Sequence, residues 1–418
     1  MSTDYDILVV GGGMVGATMA YALSPLPLRI GVIEAVPFKS DSQPSYDDRA
    51  IALAYGSAKI IATMGLWDRL ADRVSPIKQI HVSDRGHFGV TRLDSAAEKV
   101  EALGYVVENR VVGAVLAQAL PKLENVELIC PATVTHVDLM ADGAHVSIHG
   151  EDGARQLSAR LVIAADGGNS VVRQLLQIPT RSWDYGQTAV IANITPARHH
   201  QGVAYERFTD SGPVALLPNA GADDPKRCSL VWTVRSGDAE RLLNLSAADF
   251  LAELQQRFGY RLGELEKLGR RHAYPLKLLR AKQQVRPRLA LIGNAAHTLH
   301  PIAGQGFNLG LRDVAVLADV LADVLAEACG KGEDVGAAAV MQRYADWRRW
   351  DHRKVIGFTD TLARLFSNPL APVALARNIG LCAVDIVPPL KRALTRQTLG
   401  LAGKLPRLAL GLPLQKNE

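Results

Sequence analysis

The chain reads as an α/β protein. A doubly wound strand–helix–strand domain is interleaved with an antiparallel, strand-rich one, and a helical C-terminal region follows. Three observations predict this. An apolar strand at 7–10 runs straight into Gly11-x-Gly13-x-x-Gly16 and a helix. Two more apolar runs, at 161–165 and 289–292, end in the polar glycine turns Asp166-Gly167 and Gly293-Asn294. Between them, residues 133–165 and 186–235 alternate in strand fashion.

In chain order, the 7–10 strand and its glycine turn lead into a helix over 14–23, stopped by Ser24-Pro25-Leu26-Pro27. A second strand at 28–33 ends in Glu34, which completes a Rossmann-like start. A polar loop follows at 37–48, then a helix over 55–73, short strands in 76–95 and a helix over 111–122. The alternating stretch turns at Glu151-Asp152-Gly153, and further strands include 213–218 and 229–234. Residues 247–258 read as a helix. A long helix covers 308–328, with Val314, Leu317, Leu321 and Val324 on one face. The remainder is mostly helical, and the Arg-rich run 343–354 reads as a solvated face. Dinucleotide-type and strand-rich segments alternate along the chain. The expected domains are therefore 1–75, 100–180 and 275–330 for the nucleotide, 76–99 and 181–274 for the substrate, and 331–418 as the helical region.

The 418 residues are 48% hydrophobic and 21% charged, ordinary values for a globular protein. Cys130, Cys228, Cys329 and Cys382 are too far apart for metal or redox spacing and read as reduced core residues of a cytoplasmic protein. No signal peptide is expected, and no apolar run reaches the roughly 18 residues of a spanning helix. The net charge of +5 sits in the tail: residues 361–418 hold eight Lys/Arg and two acids, so residues 1–360 carry −1. No aromatic residues interleave with those charges, which argues against nucleic acid. A helix at 390–401 would carry Leu390, Ala393, Leu394 and Leu401 on one side and Lys391, Arg392 and Arg396 on the other. Such a helix suits a membrane surface or the protein body.

The glycine turn carries chemistry. Gly11 permits the tight turn, Gly13 lets backbone approach a pyrophosphate, and Gly16 lets helix and strand pack closely. The phosphates then meet the helix N-terminus, and Glu34 can accept from a ribose diol while disfavouring a 2′-phosphate. This motif alone does not separate FAD from NAD. Asp166-Gly167, with Ser170 and Arg173, and Gly293-Asn294 add two more strand ends, and three ends on one long ligand suit FAD. The stretch from Pro301 to Asn308 offers backbone N–H groups at Gly304, Gln305, Gly306 and Phe307 ahead of a helix. Reduced flavin carries negative charge around N1 and O2, and a helix N-terminus supplies roughly half a positive charge and free donors. Asn294 suits the ribityl hydroxyls. His297 and His300 have no ligand cluster near them in sequence, so packing or local hydrogen bonding is expected and no metal.

This set, with "GNAAHTLHPIAGQGFNLGLRD", resembles the group A flavoprotein aromatic hydroxylases of the p-hydroxybenzoate hydroxylase fold. "DDRAIALAYGS", "HVSDRGHFG", "AVIANI", "YERFTDSGPVALLP" and "RNIGL" are most similar to the 2-octaprenyl-6-methoxyphenol hydroxylase branch of ubiquinone biosynthesis. The resemblance implies that Gly11, Gly13, Gly16 and Glu34 hold the adenosine diphosphate part of FAD. It places Arg49, Arg110, Asp166, Gly167, Gly293 and Asn294 along the cofactor and Pro301 to Asn308 at the flavin ring. Most relatives have Asp where Asn294 stands, so one charge is lost there. It further implies NAD(P)H as a transient co-substrate, O₂, and a prenylated phenol. The loop at Pro301, Gly304, Gln305 and Gly306 is the best candidate for the catalytic element, and no general base is named. Tyr205, Arg207 and Leu217 are candidate substrate residues.

Alternatives stay open at this point: another ring position, a soluble aromatic substrate, a reductase that needs no oxygen, or a non-catalytic flavin subunit of a biosynthetic complex. Contact of the tail with the inner membrane face, against packing on the protein body, and contact with other ubiquinone-pathway enzymes also stay open. NADH and NADPH, prenyl length and oligomeric state are undecided.

Overall fold

The strand Tyr5–Val10, YDILVV, lies at the centre of the first sheet because it has nothing polar to offer water beyond Asp6. A parallel strand buried on both faces reads as a continuous apolar run. Ile30–Ile33 pairs on one side with Val9 opposite Val32, and Gly153–Ala164 pairs on the other with Val9 opposite Ile163. Val126–Ile129 and Leu289–Leu291 extend the sheet outward. Ala132–Leu139 and Ala144–Gly150 form an antiparallel annex on Gly153–Ala164. The computed structural model describes residues 3–37, 49–219, 221, 224–327, 334–366, 368 and 370–414. The polar loop expected at 37–48 lies outside these residues except for Pro37, as does Cys329.

The helix Met14–Leu23 packs against the long helix Gln305–Glu327. The approach is close enough that a Cβ on Gly310 would come 3.0 Å from Val15. Gln305–Glu327 is buried on nearly every side, so its own apolar periodicity is only part of a wider core.

The second sheet is antiparallel over most of its nine strands. Its order runs from His272–Ala281 through Thr180–Pro196, Cys228–Arg235, Gly212–Pro218 and Val203–Thr209 to Gln79–Asp84 and Val90–Asp94. The 79–94 strands thus sit beside a partner more than a hundred residues away in sequence. Thr180–Pro196 is long because it pairs along its length with His272–Ala281, Cys228–Arg235 and Leu265–Leu268. Its register breaks between Asp184 and Gln187, where Gly186 takes φ +63°. A small sheet of Ala50–Ala54, Gly104–Glu108 and Ser75–Ile77 bridges the two.

Two differences from expectation have plain causes. The helix expected over 55–73 ends at Thr63, because Gly65 adopts φ +75° and turns the chain into two short 3₁₀ segments. The run 343–354 lies in the helix Ala338–Phe366 and is not a wholly solvated face: Tyr344, Arg348 and His352 are buried on Gln305–Glu327. The helices Ala371–Ile386 and Pro388–Thr398 meet at 94°. Among the described residues no single helix is long and apolar enough to cross a membrane.

Candidate active site

The three glycine turns open onto one cavity of about 1160 Å³. That exceeds the roughly 300–1,000 Å³ of an ordinary small-molecule pocket. Gly11, Gly13, Glu34, Arg49, Asp166, Gly167, Gly293, Asn294 and Pro301, with Gly304 to Asn308, all border it. At one end, Gly11 takes φ +98°, and a Cβ there would come 2.7 Å from the Ala165 carbonyl oxygen. A Cβ on Gly16 would come 1.8 Å from the Gly11 carbonyl oxygen, so the glycine is dictated by strand–helix contact alone. Gly13 is the N-cap of Met14–Leu23, and no side chain caps that end. Its first-turn N–H groups are left for a ligand. The Glu34 carboxylate accepts from the Gly12 and Val36 N–H groups at 2.6 and 2.8 Å, which fixes it at the rim of the turn.

Asp166 receives the Val172 N–H at 3.1 Å, while its Oδ1 is buried with no partner. Burial raises its pKa against the hydrogen bonds from Ser170 and Val172. Arg173, buried beneath this turn, donates to the Ala295 carbonyl at 2.9 Å and to that of Gly168. It thereby ties the Asp166-Gly167 turn to the Gly293-Asn294 turn.

The 301–308 loop is shaped by backbone. Ala303 and Gly304 both adopt positive φ, +57° and +60°. The Asn308 amide donates to the Ala52 and Gly304 carbonyls at 2.8 and 2.7 Å and accepts from the Ala54 N–H at 2.8 Å. Its side chain is therefore spent on holding the loop to the Ala50–Ala54 strand. His300 is buried, and burial lowers its pKa to about 4. As a neutral ring it accepts the Ile302 N–H at 3.3 Å and faces Gln187 at 3.3 Å. His297 donates to Asp313, whose carboxylate also receives Arg348 at 2.7 Å, His352 at 2.6 Å and the Gly293 N–H at 3.3 Å. Burial pushes the Asp313 pKa up, but His352, Arg348 and His297 outweigh it and hold the group well below the usual carboxylate range. Atoms of His297, Asp313 and His352 lie within 4.8 Å of one another, as metal ligands would. The Arg348 guanidinium already supplies the cation that this carboxylate needs.

The cavity contents can be judged from its walls. Asp166 Oδ1, Thr298 Oγ1 and Gln305 Oε1 are buried at its edge without partners. A Cβ on Gly306 or Gly167 would meet nothing within 4 Å, so no protein contact requires glycine at Gly306. Uncapped helix N–H groups, orphaned acceptors and bare backbone along an otherwise apolar trough fit an elongated ligand with a phosphate middle and a flat ring. FAD meets each requirement.

Not every expected residue comes to the cavity. Arg110 pairs with Glu108 and does not border it; Asn109 does. Arg207 points to the other side of its strand and donates to the Phe258 carbonyl. Tyr205 borders the cavity, yet its ring packs on Phe258 and His81, with centroids 5.7 and 5.8 Å away. Leu217 borders it. Sequence reasoning passed over Glu206, which faces inward between Ala204 and Phe208. The signal was available: a carboxylate occupies the phase of that strand in which its neighbours are apolar. The far wall also goes beyond the sequence reading. Phe358, Leu362 and Phe366 come from Ala338–Phe366, Gly380 and Val384 from Ala371–Ile386, and Leu394 and Thr398 from Pro388–Thr398.

Comparison with known proteins agrees with this geometry. The family described as FAD binding domain matches residues 4–335. A ubiquinone hydroxylase of Rhodospirillum rubrum, UbiL, is 42% identical over 417 residues, covering 98% of this chain and 93% of the relative. The 3-demethoxyubiquinol 3-hydroxylase of Escherichia coli is 36% identical, covering 95% and 98%. The crystal structure of p-nitrophenol 4-monooxygenase from Pseudomonas putida superposes with a TM-score of 0.76, covering 97% of this chain and 100% of that one. At 21% identity that similarity speaks for the fold alone.

Proposed function

The chain belongs to the FAD-dependent aromatic hydroxylases of ubiquinone biosynthesis, and from that premise we propose that it hydroxylates the ring of a polyprenylated phenol of the 2-polyprenyl-6-methoxyphenol type. It is an FAD-dependent monooxygenase that uses O₂ on a small phenolic substrate. The observation that carries the finer reading is the continuity of the cavity. It runs from the Gly11 turn to Leu394 and Thr398, and its walls beyond the 301–308 loop are mainly apolar, with Glu206 and Arg377 among them.

Bound FAD would supply hydride acceptance from NAD(P)H and activation of oxygen; the protein supplies position and environment. Gly11, Gly13 and the start of Met14–Leu23 would hold the pyrophosphate, and Glu34 would hold the adenosine ribose. Asp166, Gly293 and Asn294 would face the ribityl chain. The N–H groups at 304–307 and the positive end of Gln305–Glu327 stabilise charge on the ring. Phe208, Ile302, Ala363 and Phe366 pack together and exclude water beside that loop.

A second part of the proposal concerns where the substrate is met. Leu375, Ile379, Ile386 and Leu390 are 49–76% exposed around the bend between the last two long helices, and Arg392 and Arg396 are exposed beside them. An apolar patch rimmed by cations suits an anionic bilayer. The same two helices wall the cavity, so a prenyl chain could pass between membrane and ring without crossing water.

The test is turnover under ¹⁸O₂ with a short-chain prenylated methoxyphenol. Purified protein should be yellow, consume NAD(P)H only with oxygen, and yield product one labelled oxygen heavier at one ring position. Unlabelled product, or NAD(P)H oxidation that ignores the phenol, overturns the reading.

A further inference from the structure

Along Val203–Thr209 the side chains alternate. Ala204, Glu206 and Phe208 border the cavity, while Arg207 and the ring of Tyr205 turn toward Phe258. Ala204 packs with Ala50 and Ala52, on the strand to which Asn308 holds the 301–308 loop. Phe208 packs with Ile302 and Ala303 of the loop itself. Glu206 therefore stands between Ala204, clustered with the strand that anchors the loop, and Phe208, clustered with the loop itself. It is partly buried and borders the cavity.

No hydrogen bond or ion pair reaches its carboxyl among the described residues. The neighbouring strand residues are Ala215 and Val82. Charged and titratable groups nearby are all engaged elsewhere. His81 meets Arg261. Asp84 holds Arg377 at 2.9 Å, and Arg377 also donates to the Leu365 and Asn368 carbonyls. Asp360 holds Arg364 and the Tyr185 hydroxyl. Gly212–Pro218 carries no charge. Burial alone raises the Glu206 pKa, to about 7. A carboxyl desolvated without any partner costs stability. A structural role does not account for its place, whereas a phenol hydroxyl entering the cavity would give it the donor it lacks.

We propose that Glu206 is the acid–base residue that accepts a hydrogen bond from the substrate's phenol hydroxyl and takes its proton as the ring is hydroxylated. The inference rests on the reading of the protein as a phenol hydroxylase. The O–H bond breaks and the proton passes to a Glu206 oxygen. The electron pair left on the phenol oxygen moves into the ring as its ortho or para carbon forms the new C–O bond. O₂ supplies the oxygen atom, the nicotinamide nucleotide supplies two electrons, and the second oxygen atom leaves as water. The ring then loses its C–H proton to regain aromaticity, and Glu206 returns its own proton to the product or to water. The group fits the task because a general base works best with a pKa near the working pH.

The test uses the oxidised holoenzyme, with no NAD(P)H, titrated with a short-chain prenylated methoxyphenol and followed by the change in its flavin spectrum. Wild type should bind severalfold more tightly at pH 8 than at pH 6. Glu206→Gln should bind about tenfold more weakly at pH 8 and show no such pH dependence. The O-methylated analogue, which has no hydroxyl to donate, should bind both proteins equally. In turnover, Glu206→Gln should lose about a hundredfold in product per NAD(P)H consumed, and Glu206→Asp should recover part of it. The variant's flavin content reports that it is folded. A Glu206→Gln enzyme with wild-type coupling and an unchanged pH dependence of binding overturns the proposal. If wild type itself inserts no ¹⁸O, the reading of the whole enzyme fails instead.

Discussion

Four histidines, His81, His200, His300 and His352, are held down to about 4 by burial and stay neutral in the folded protein. His352 donates through Nε2 to Asp313, so its Nδ1 is an acceptor, which assigns the Gln284 amide nitrogen to the 2.9 Å contact there. Neutral histidines have a consequence for acid stability. An unfolded histidine titrates near 6.5 and these titrate near 4, so between those values the unfolded chain binds more protons. Stability therefore falls as pH drops from about 6.5 to 4, by up to about 1.4 kcal/mol per pH unit for each fully buried ring. Glu206 works the other way, because its raised pKa means that the folded state holds the extra proton between about 4.5 and 7. Asp166 and Asp319, also raised by burial, act in the same direction as Glu206, and the four histidines outnumber these three carboxyls to leave a net loss. The urea midpoint should drop clearly between pH 7 and pH 4.5, and an unchanged midpoint would contradict the neutral assignment. At this scale the sequence was readable where a residue's role is local, as with the turn at Gly11 and the close packing at Gly16. It was not readable for Arg207 and Glu206, because alternation tells which side chains share a face but not which face meets the cavity.

Two kinds of glycine separate at the level of the element. Gly16 is required by the contact between its helix and strand, and Gly306 by nothing in the protein. Gly16→Ala should prevent folding or cost several kcal/mol, seen as loss of soluble protein. Gly306→Leu should leave the melting temperature of the cofactor-free protein nearly unchanged while weakening FAD binding at least tenfold in a fluorescence titration. Equal effects on folding in both would refute the assignment of Gly306 to the ligand. The glycine turns and their flanking strands were legible because βαβ geometry is written in a few adjacent residues. The inward face of 343–354 was not, since Arg348 and His352 answer Asp313, which lies well outside that run. An isolated reading finds only charge and calls it solvated.

Across the whole molecule, the cavity is a joint product of the parallel sheet, the antiparallel sheet, the small bridging sheet and the C-terminal helices. The sequence announced an interleaved architecture, since dinucleotide-type and strand-rich segments alternate along it. It did not announce that the tail folds back to border the cavity, because Leu394 and Thr398 look like any amphipathic helix until their neighbours are known. Leu394, expected on the apolar side of that helix, borders the cavity; the exposed apolar side chains are those at the bend. Ile379→Glu with Ile386→Glu should abolish flotation with anionic vesicles while flavin content and turnover of a short-chain phenol stay near wild type. Each exposed Leu or Ile moved into lipid contributes about 1.5–3 kcal/mol and each nearby cation about 1 kcal/mol. Retained flotation would place the anchor elsewhere.

The helix Ala338–Phe366 reaches two places at once. Midway along it, Arg348 and His352 grip the carboxylate under the Gly293 turn, and at its end Phe366 lies flat on Phe208, 3.4 Å between centroids. It thus joins the support of the Gly293 turn to the aromatic wall of the cavity. A substitution that removes the Phe366 ring should therefore be read at both places, as a change in phenol affinity and as a change in flavin retention, because one helix carries both contacts.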